Sequence, residues 1–286
     1  MTRRSAFGRL HPAAAYAVGG GILCFAFLTR DPMAALLLAA GALAFGGELF
    51  GAGFSGKRAV LFLTVTLLFG LTNPLISHRG ISVLFYLGNS AVTLEAAVYG
   101  AISGAMLADV ILWCEVLYRA MPGDAALYYP AKILPRTTLV FTMALRFVPR
   151  LIIRLREARA AQRAFHPENT VRHALSALQT GVALTLEECC EIAAGMEERG
   201  YGGKRCSYAL YRFRGRDACL SAIALGLAAC TLTGFFLGAF SFDCYPVIRR
   251  GASGWTWYVF PAFLAFLPAI IERKEKALWR LSKSKD

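Results

Sequence analysis

Six stretches of the chain are almost wholly apolar over roughly the length that crosses a bilayer: 12–28, 32–50, 59–76, 91–118, 218–240 and 255–271. About 20 apolar residues in a helix span the hydrocarbon core, so each stretch predicts a membrane span. The first is not read as a cleaved leader. Its apolar character resumes after the short Thr29-Arg30-Asp31-Pro32 break, and no clear small-residue cleavage site follows. Turn residues separate the first four spans at Asp31-Pro32, Gly51-Ala52-Gly53 and Asn73-Pro74. Between Arg119 and Arg216 the pattern changes to charged residues at close to helical spacing, over a length too great for a simple loop. The pattern therefore predicts an all-α polytopic membrane protein in three blocks. Residues 1–120 hold four spans, 121–216 a helical region outside the membrane, and 217–286 two spans and a basic tail.

Two long amphipathic helices are predicted in the middle block. Over 144–165, Phe147, Leu151, Leu155, Ala158 and Phe165 fall on one arc of a helical wheel. Arg146, Arg150 and Arg154 line one edge of that arc, and Arg156, Arg159 and Arg163 lie towards the other. An apolar stripe with a basic surround suits a membrane interface or a partner. Pro149 is expected to kink this helix. Further on, Leu175, Val182, Cys189 and Met196 recur as a heptad with Leu178 and Ile192 beside them, while Glu187, Glu188, Glu191 and Glu197 occupy much of the remainder. Two antiparallel helices, turning near 166–170 with Pro167 as a start signal, would bury the two stripes together and face Arg with Glu. The second helix closes on Met196-Glu197-Glu198-Arg199-Gly200-Tyr201-Gly202-Gly203. An Arg between an acidic residue and glycines at a helix end suits docking into a partner's groove.

Composition agrees with the membrane reading. Of 286 residues, 57% are hydrophobic and 17% charged, with mean hydropathy +0.50, too apolar for an ordinary soluble domain. Sixteen of the 31 Lys and Arg lie from Arg119 to Arg216, whereas Arg30, Arg79, Arg249 and Arg250 fall on the opposite side of the predicted spans. Six spans put both termini on one side, and the excess of basic residues makes that side the cytoplasm. The net charge of +13 then follows from topology and from contact with anionic lipid, and nucleic acid is not an expected partner. None of the eight cysteines forms a C-x-x-C pair and only Cys244 falls in an outer loop, so they read as packing thiols.

Candidate chemistry within the chain is sparse. Gly51-Ala52-Gly53-Phe54-Ser55-Gly56-Lys57-Arg58 nearly matches a phosphate-binding loop, but Arg58 replaces the hydroxyl residue that would hold magnesium, and a span rather than a strand precedes it. It reads as a cytoplasmic loop, and no cofactor is expected on this chain. Asp109 lies well inside the fourth span, with Glu95 and Glu115 nearer its ends. A mid-membrane carboxylate is costly and marks a functional site by default. Here structural pairing is the expectation, with an ion relay through Asp109, as in a self-contained secondary transporter, as the alternative. Gly100 and Gly104 on the same span give the small-residue spacing that lets helices pack closely. The four histidines are scattered, without a supporting cluster of carboxylates or thiols, so no metal site is expected. No span carries a paired nucleophile and base, and an enzyme is not expected.

The chain resembles the transmembrane (T) component of energy-coupling factor transporters, the family that includes cobalt-transport permeases. The resemblance runs over nearly the whole length. It includes Leu10-His11-Pro12, Asn73-Pro74 followed by His78-Arg79-Gly80, and Thr93 through Gly100. It continues through Pro135-Arg136, Ala144 through Arg150, Glu157 through Ala164 and Met196 through Tyr201. It implies two cytoplasmic coupling helices, each ending in a short motif built around Arg, usually Ala-Arg-Gly, that inserts into one of two ABC-type ATPases. It also implies a membrane part that holds a substrate-binding S component for a vitamin or a transition-metal ion, with ATP used by the partner ATPases. By resemblance, the second motif is Glu198-Arg199-Gly200, with Arg199 the charged contact. The first falls at Ala164-Phe165-His166, where this chain has Phe in place of Arg and His in place of Gly. Either Arg163 substitutes there or that contact is apolar.

Overall fold

The computed structural model describes residues 7–77, 82–87, 90–121, 123–165, 171–201, 211, 213, 215–244, 249–250 and 255–283. The chain divides into two compact units, one of Met1–Ala126 with Tyr211–Asp286 and one of Leu127–Leu210. The first and last blocks of the sequence thus belong to one unit.

In the first unit the helices are α1 (Pro12–Leu28), α2 (Pro32–Phe50), α3 (Ala52–Ile76) and α4 (Leu94–Ala120), with a strand pair, β1 (Val83–Leu87) and β2 (Ser90–Thr93), between α3 and α4. After α4 comes one turn, α5 (Gly123–Ala126). In the second unit follow α6 (Tyr128–Ile133), α7 (Pro135–Phe165) and α8 (Val171–Glu198). The chain then returns to the first unit as α9 (Gly215–Phe236), the strands β3 (Phe242–Asp243) and β4 (Arg249–Arg250), and α10 (Val259–Lys283).

Local sequence explains the boundaries. His11 Nδ1 accepts from the Ala13 N–H at 3.2 Å and Asp31 Oδ1 from the Met33 N–H at 3.1 Å, so each caps a helix whose first residue is proline. Gly51, at φ +92°, ends α2 and starts α3. Its N–H donates to the Gly47 carbonyl at 2.9 Å and its own carbonyl accepts from Phe54 at 3.1 Å. The turn is thus a single residue, and Ala52 to Arg58, expected to be loop, is the start of α3. Two other expectations need correction. Ala91–Thr93, placed in the fourth span by hydropathy, is strand paired to β1. The last helix runs well past residue 271, to Lys283.

Among the described residues, five helical segments are long and apolar enough to cross a membrane: α2, α3, α4, α9 and Trp255–Leu278, while the apolar α1 is shorter at 17 residues. The unit is that of an all-α polytopic membrane protein. Its core gathers Phe7, Ile22, Phe25, Leu38, Phe45, Leu112, Trp113 and Leu264, and Trp113 Nε1–H donates to the Leu38 carbonyl at 3.1 Å. By contrast α3 shows Val60, Leu63, Leu67 and Leu71 outward, as a helix bathed in lipid can. It is held by its other face, which meets α4 at Gly100 and Gly104. A methyl group at Gly100 would stand 2.5 Å from Asn73 Cβ and run into the Phe69 carbonyl, and one at Gly104 would stand 2.7 Å from Phe69 Cβ.

Polar groups join the helices at both ends of this unit. At the end that carries the described chain termini, the Phe7 N–H donates to Glu272 Oε2 at 3.4 Å. There Glu48 takes Arg273 Nε–H at 2.6 Å, and Glu115 pairs with Arg119 at 2.6 Å and with Arg58. At the hairpin end, the buried Asp31 accepts from Tyr258 Oη–H and the buried Glu95 accepts the Ser82 N–H at 3.1 Å.

In the second unit α7 and α8 pack as the expected pair, and Arg150 meets Glu188 at 2.5 Å. Phe147, Leu151, Leu155 and Ala158 are half-buried on α7, which runs on through Pro149. On α8 the expected heptad holds only in its second half. Cys189, Ile192 and Met196 are half-buried, but Leu175, Leu178 and Val182 are 60%, 50% and 40% exposed. Their place in the seam is taken by Gly181 and Thr185. A methyl group at Gly181 would lie 2.8 Å from Leu155 Cδ2, so the glycine admits the larger side chain of α7.

The α3–α4 contact gives a signed prediction. Gly100→Ala forces a Cβ against backbone and is expected to destabilise the purified protein by about 1–3 kcal/mol. Gly20→Ala, with nothing within 4 Å, is expected to be neutral or stabilising by up to about 1 kcal/mol through helix propensity. Equal melting temperatures for the two variants in detergent would contradict the packing account.

Candidate functional site

The strongest sequence candidate sits at the end of α8, whose termination is well defined. The Tyr201 N–H donates to the Met196 carbonyl at 3.0 Å and the Gly200 N–H to the Glu197 carbonyl at 2.9 Å. This is the double bond pattern of a Schellman ending, with Gly200 in the left-handed conformation at φ +74°. A side chain at that φ costs about 1 kcal/mol or more, which accounts for glycine here. Arg199 is the C-cap, and Glu197 through Tyr201 are all exposed. Among the described residues Arg199 makes no ion pair, so its guanidinium fork is presented outward beside the last carbonyls of the helix.

The charges on this tip oppose each other in a telling way. A cation at a helix C-terminus is favoured by the macrodipole, and Arg199 complies. Glu197 and Glu198 in the last turn do not, and neither has an ion-pair partner among the described residues. Local preferences broken without internal compensation concentrate where another surface supplies the missing contact.

The other predicted tip is at the end of α7. Arg163, Ala164 and Phe165 close that helix, where only the backbone is described. His166 and the expected turn at 166–170 lie outside the described residues. Behind the tip, Arg146, Arg154, Arg156 and Arg159 are exposed, while Arg150 is drawn to Glu188 and over the Phe147 ring at 5.9 Å.

Sequence reasoning missed one surface of this unit. On α7, Phe141, Leu145, Val148 and Ile152 form an exposed row at helical spacing. On α8 the displaced Leu175, Leu178 and Val182 continue to exposed Leu186. Both helices carry more apolar residues than one seam can bury, and that excess was the available signal.

The remaining candidates resolve differently. Arg58 of the near phosphate-loop pairs with Glu115 and lies 5.1 Å from the Phe54 ring centroid, inside a helix rather than at a phosphate cradle. Asp109 is 1% exposed, and both carboxylate oxygens lack a hydrogen-bond partner among the described residues. The expected structural pairing of Asp109 is therefore not found there. His11 is a helix cap packed edge-on against Phe213 at 4.9 Å.

No protein-family model matches the chain, and no curated protein matches it.

The C-cap geometry predicts that Gly200→Ala costs about 1 kcal/mol locally. In hydrogen exchange, the amides of Gly200 and Tyr201 are expected to lose protection while the centre of α8 keeps its own. Unchanged protection at both amides would show that the left-handed ending is not needed.

Proposed function

We propose that the chain is the transmembrane scaffold of an energy-coupling factor type importer, resembling the T component of that family. In this reading it has no catalytic activity and binds no cofactor. Two ABC-type ATPases use ATP, a membrane-embedded S component captures a vitamin or a transition-metal ion, and this chain couples them. The membrane unit lies in the cell membrane as six spans, with α1 the shortest, and both termini face the cytoplasm. The α7–α8 hairpin supplies the two coupling helices.

The observation that carries the proposal is the exposed Arg199 at the Schellman end of α8, flanked by two glutamates set against the helix dipole. Arg offers a rigid fork of donors to carboxylates or helix C-terminal carbonyls of a partner. The exposed apolar rows of α7 and α8 support the same reading, since a free surface helix does not ordinarily leave contiguous rows of Leu, Val and Ile uncovered. Motion of the ATPase pair on ATP binding would move the two tips, and the rigid hairpin would pass that motion to the membrane.

One observation favours a second reading. The buried Asp109 carboxylate, without a hydrogen-bond partner among the described residues, is what an ion-coupled carrier would place within a span. Transport by the purified chain alone in liposomes, driven by an ion gradient and lost in Asp109→Asn, would establish that reading over the scaffold.

The scaffold makes two predictions about docking. Arg199→Glu is expected to abolish recovery of the ATPases in a pull-down while expression and membrane insertion stay unchanged, a loss of about 2 kcal/mol or more. Recovery of the ATPases at unchanged yield would refute it. In a binding titration Phe165→Ala is expected to weaken docking less than Arg199→Ala, because only Arg199 presents the charged motif. Equal or reversed losses would refute that ranking.

A further inference from the structure

At the hairpin end of the membrane unit, a partly open cavity of about 290 Å³ is lined by Arg30, Tyr99, Ile102, Ser103, Met106, Phe242 and Cys244. Four of these residues form one face of the first half of α4, spaced so that they stack on successive turns. Arg30 comes from the link between α1 and α2, and Phe242 from β3. The lining therefore sets a guanidinium and two hydroxyls over an apolar floor. That volume suits one headgroup-sized anion rather than a whole lipid.

An arginine at the end of a span ordinarily snorkels to the interface. The neighbouring acids argue against it as the full account. Asp31, next in the chain, is buried and already accepts from the Met33 N–H and from Tyr258. Glu95, on the same helix as the cavity wall, is buried and takes the Ser82 N–H on both oxygens, at 3.1 and 3.3 Å. Arg30 is exposed and makes no ion pair among the described residues. In the β3–β4 ladder Phe242 is the register partner of Arg250, so the Arg249–Arg250 backbone runs beside the strand that lines the cavity. Asp31 and Glu95 are thus engaged internally, while the Arg30 guanidinium lines a cavity that also holds hydroxyls.

We propose that this cavity binds a phosphate group, carried either on an anionic lipid headgroup or on a small soluble organic phosphate. The planar fork of Arg30 matches two phosphate oxygens, and Ser103 adds a hydroxyl donor from the wall of α4. Ile102, Met106 and Phe242 take the glycerol-like or acyl portion. The site is independent of ATPase docking, because it uses no residue of α7 or α8.

The test uses the full-length chain, purified in mild detergent, delipidated and titrated in native mass spectrometry with dioleoyl-phosphatidylglycerol or dioleoyl-phosphatidylcholine. Phosphatidylglycerol is expected to bind more tightly, and Arg30→Gln to weaken it by about tenfold, the loss of one charge-assisted contact. Arg30→Lys should retain part of the affinity, and Ser103→Ala should lose a few-fold, keeping the test open if Arg30→Gln fails to fold. A second arm adds glycerol 3-phosphate to the loaded protein. Displacement of the lipid assigns the site to a soluble phosphate, and no displacement assigns it to the headgroup. Equal binding of the two lipids with no competition by glycerol 3-phosphate would overturn the proposal. So would wild-type phosphatidylglycerol affinity in a folded Arg30→Gln variant.

Discussion

Close approach of helix backbones is the interaction on which the membrane unit depends. Lipid tails solvate leucine as well as a protein interior does, so helices in a bilayer gain little from burying large apolar side chains and must gain from tight packing instead. Three helix pairs here use the same device. A methyl group at Gly21 of α1 would stand 2.9 Å from Ala228 Cβ of α9, and one at Gly41 of α2 would stand 2.7 Å from Ala265 Cβ of α10. Gly100 and Gly104 do the same between α4 and α3. With the backbones that near, the few polar groups at the helix ends reach each other. Glu48 then meets Arg273 and Lys276, and Glu115 meets Arg58 and Arg119, fixing the ends of α2, α3, α4 and α10.

The hairpin of α7 and α8 obeys a different logic, since its helices carry charge along their length. Gly181 leaves room for Leu155, and the Arg150–Glu188 pair lies across the same two helices. An exposed pair of this kind contributes little by itself, roughly 0–1 kcal/mol. The α7–α8 pair leaves its basic edge, its apolar rows and its Arg199 tip exposed. Those are the attributes a coupling element requires. A surface of this kind suits a membrane interface or a partner.

Much of this was legible in the residue pattern, for identifiable reasons. Runs of apolar residues closed by Asp31-Pro32 or by Gly51 mark helix ends because the cap chemistry is local, and the structure places α1 and α2 where those signals stand. The Arg–Glu facing of the hairpin followed from charge on two stripes. What escaped was decided by neighbours distant in sequence. Ala91–Thr93 is apolar enough for a helix but pairs with Val83–Leu87. Leu175, Leu178 and Val182 satisfied a heptad, yet they are exposed and Gly181, next to Val182, is the residue packed against Leu155. The cavity at Arg30 joins residues from three separated segments, so no motif in the chain could announce it. The Arg199 tip was readable because its helix ending is encoded within six consecutive residues, Met196 to Tyr201.

The central claim is that this chain works only as part of a larger ATP-driven assembly. Affinity purification of the tagged full-length chain from its native membrane, at native expression level, followed by quantitative mass spectrometry, tests it most directly. The account predicts near-stoichiometric recovery of two ABC-type ATPase subunits together with a small membrane protein. Recovery of the chain alone, or with membrane proteins but no ATPase, would contradict it.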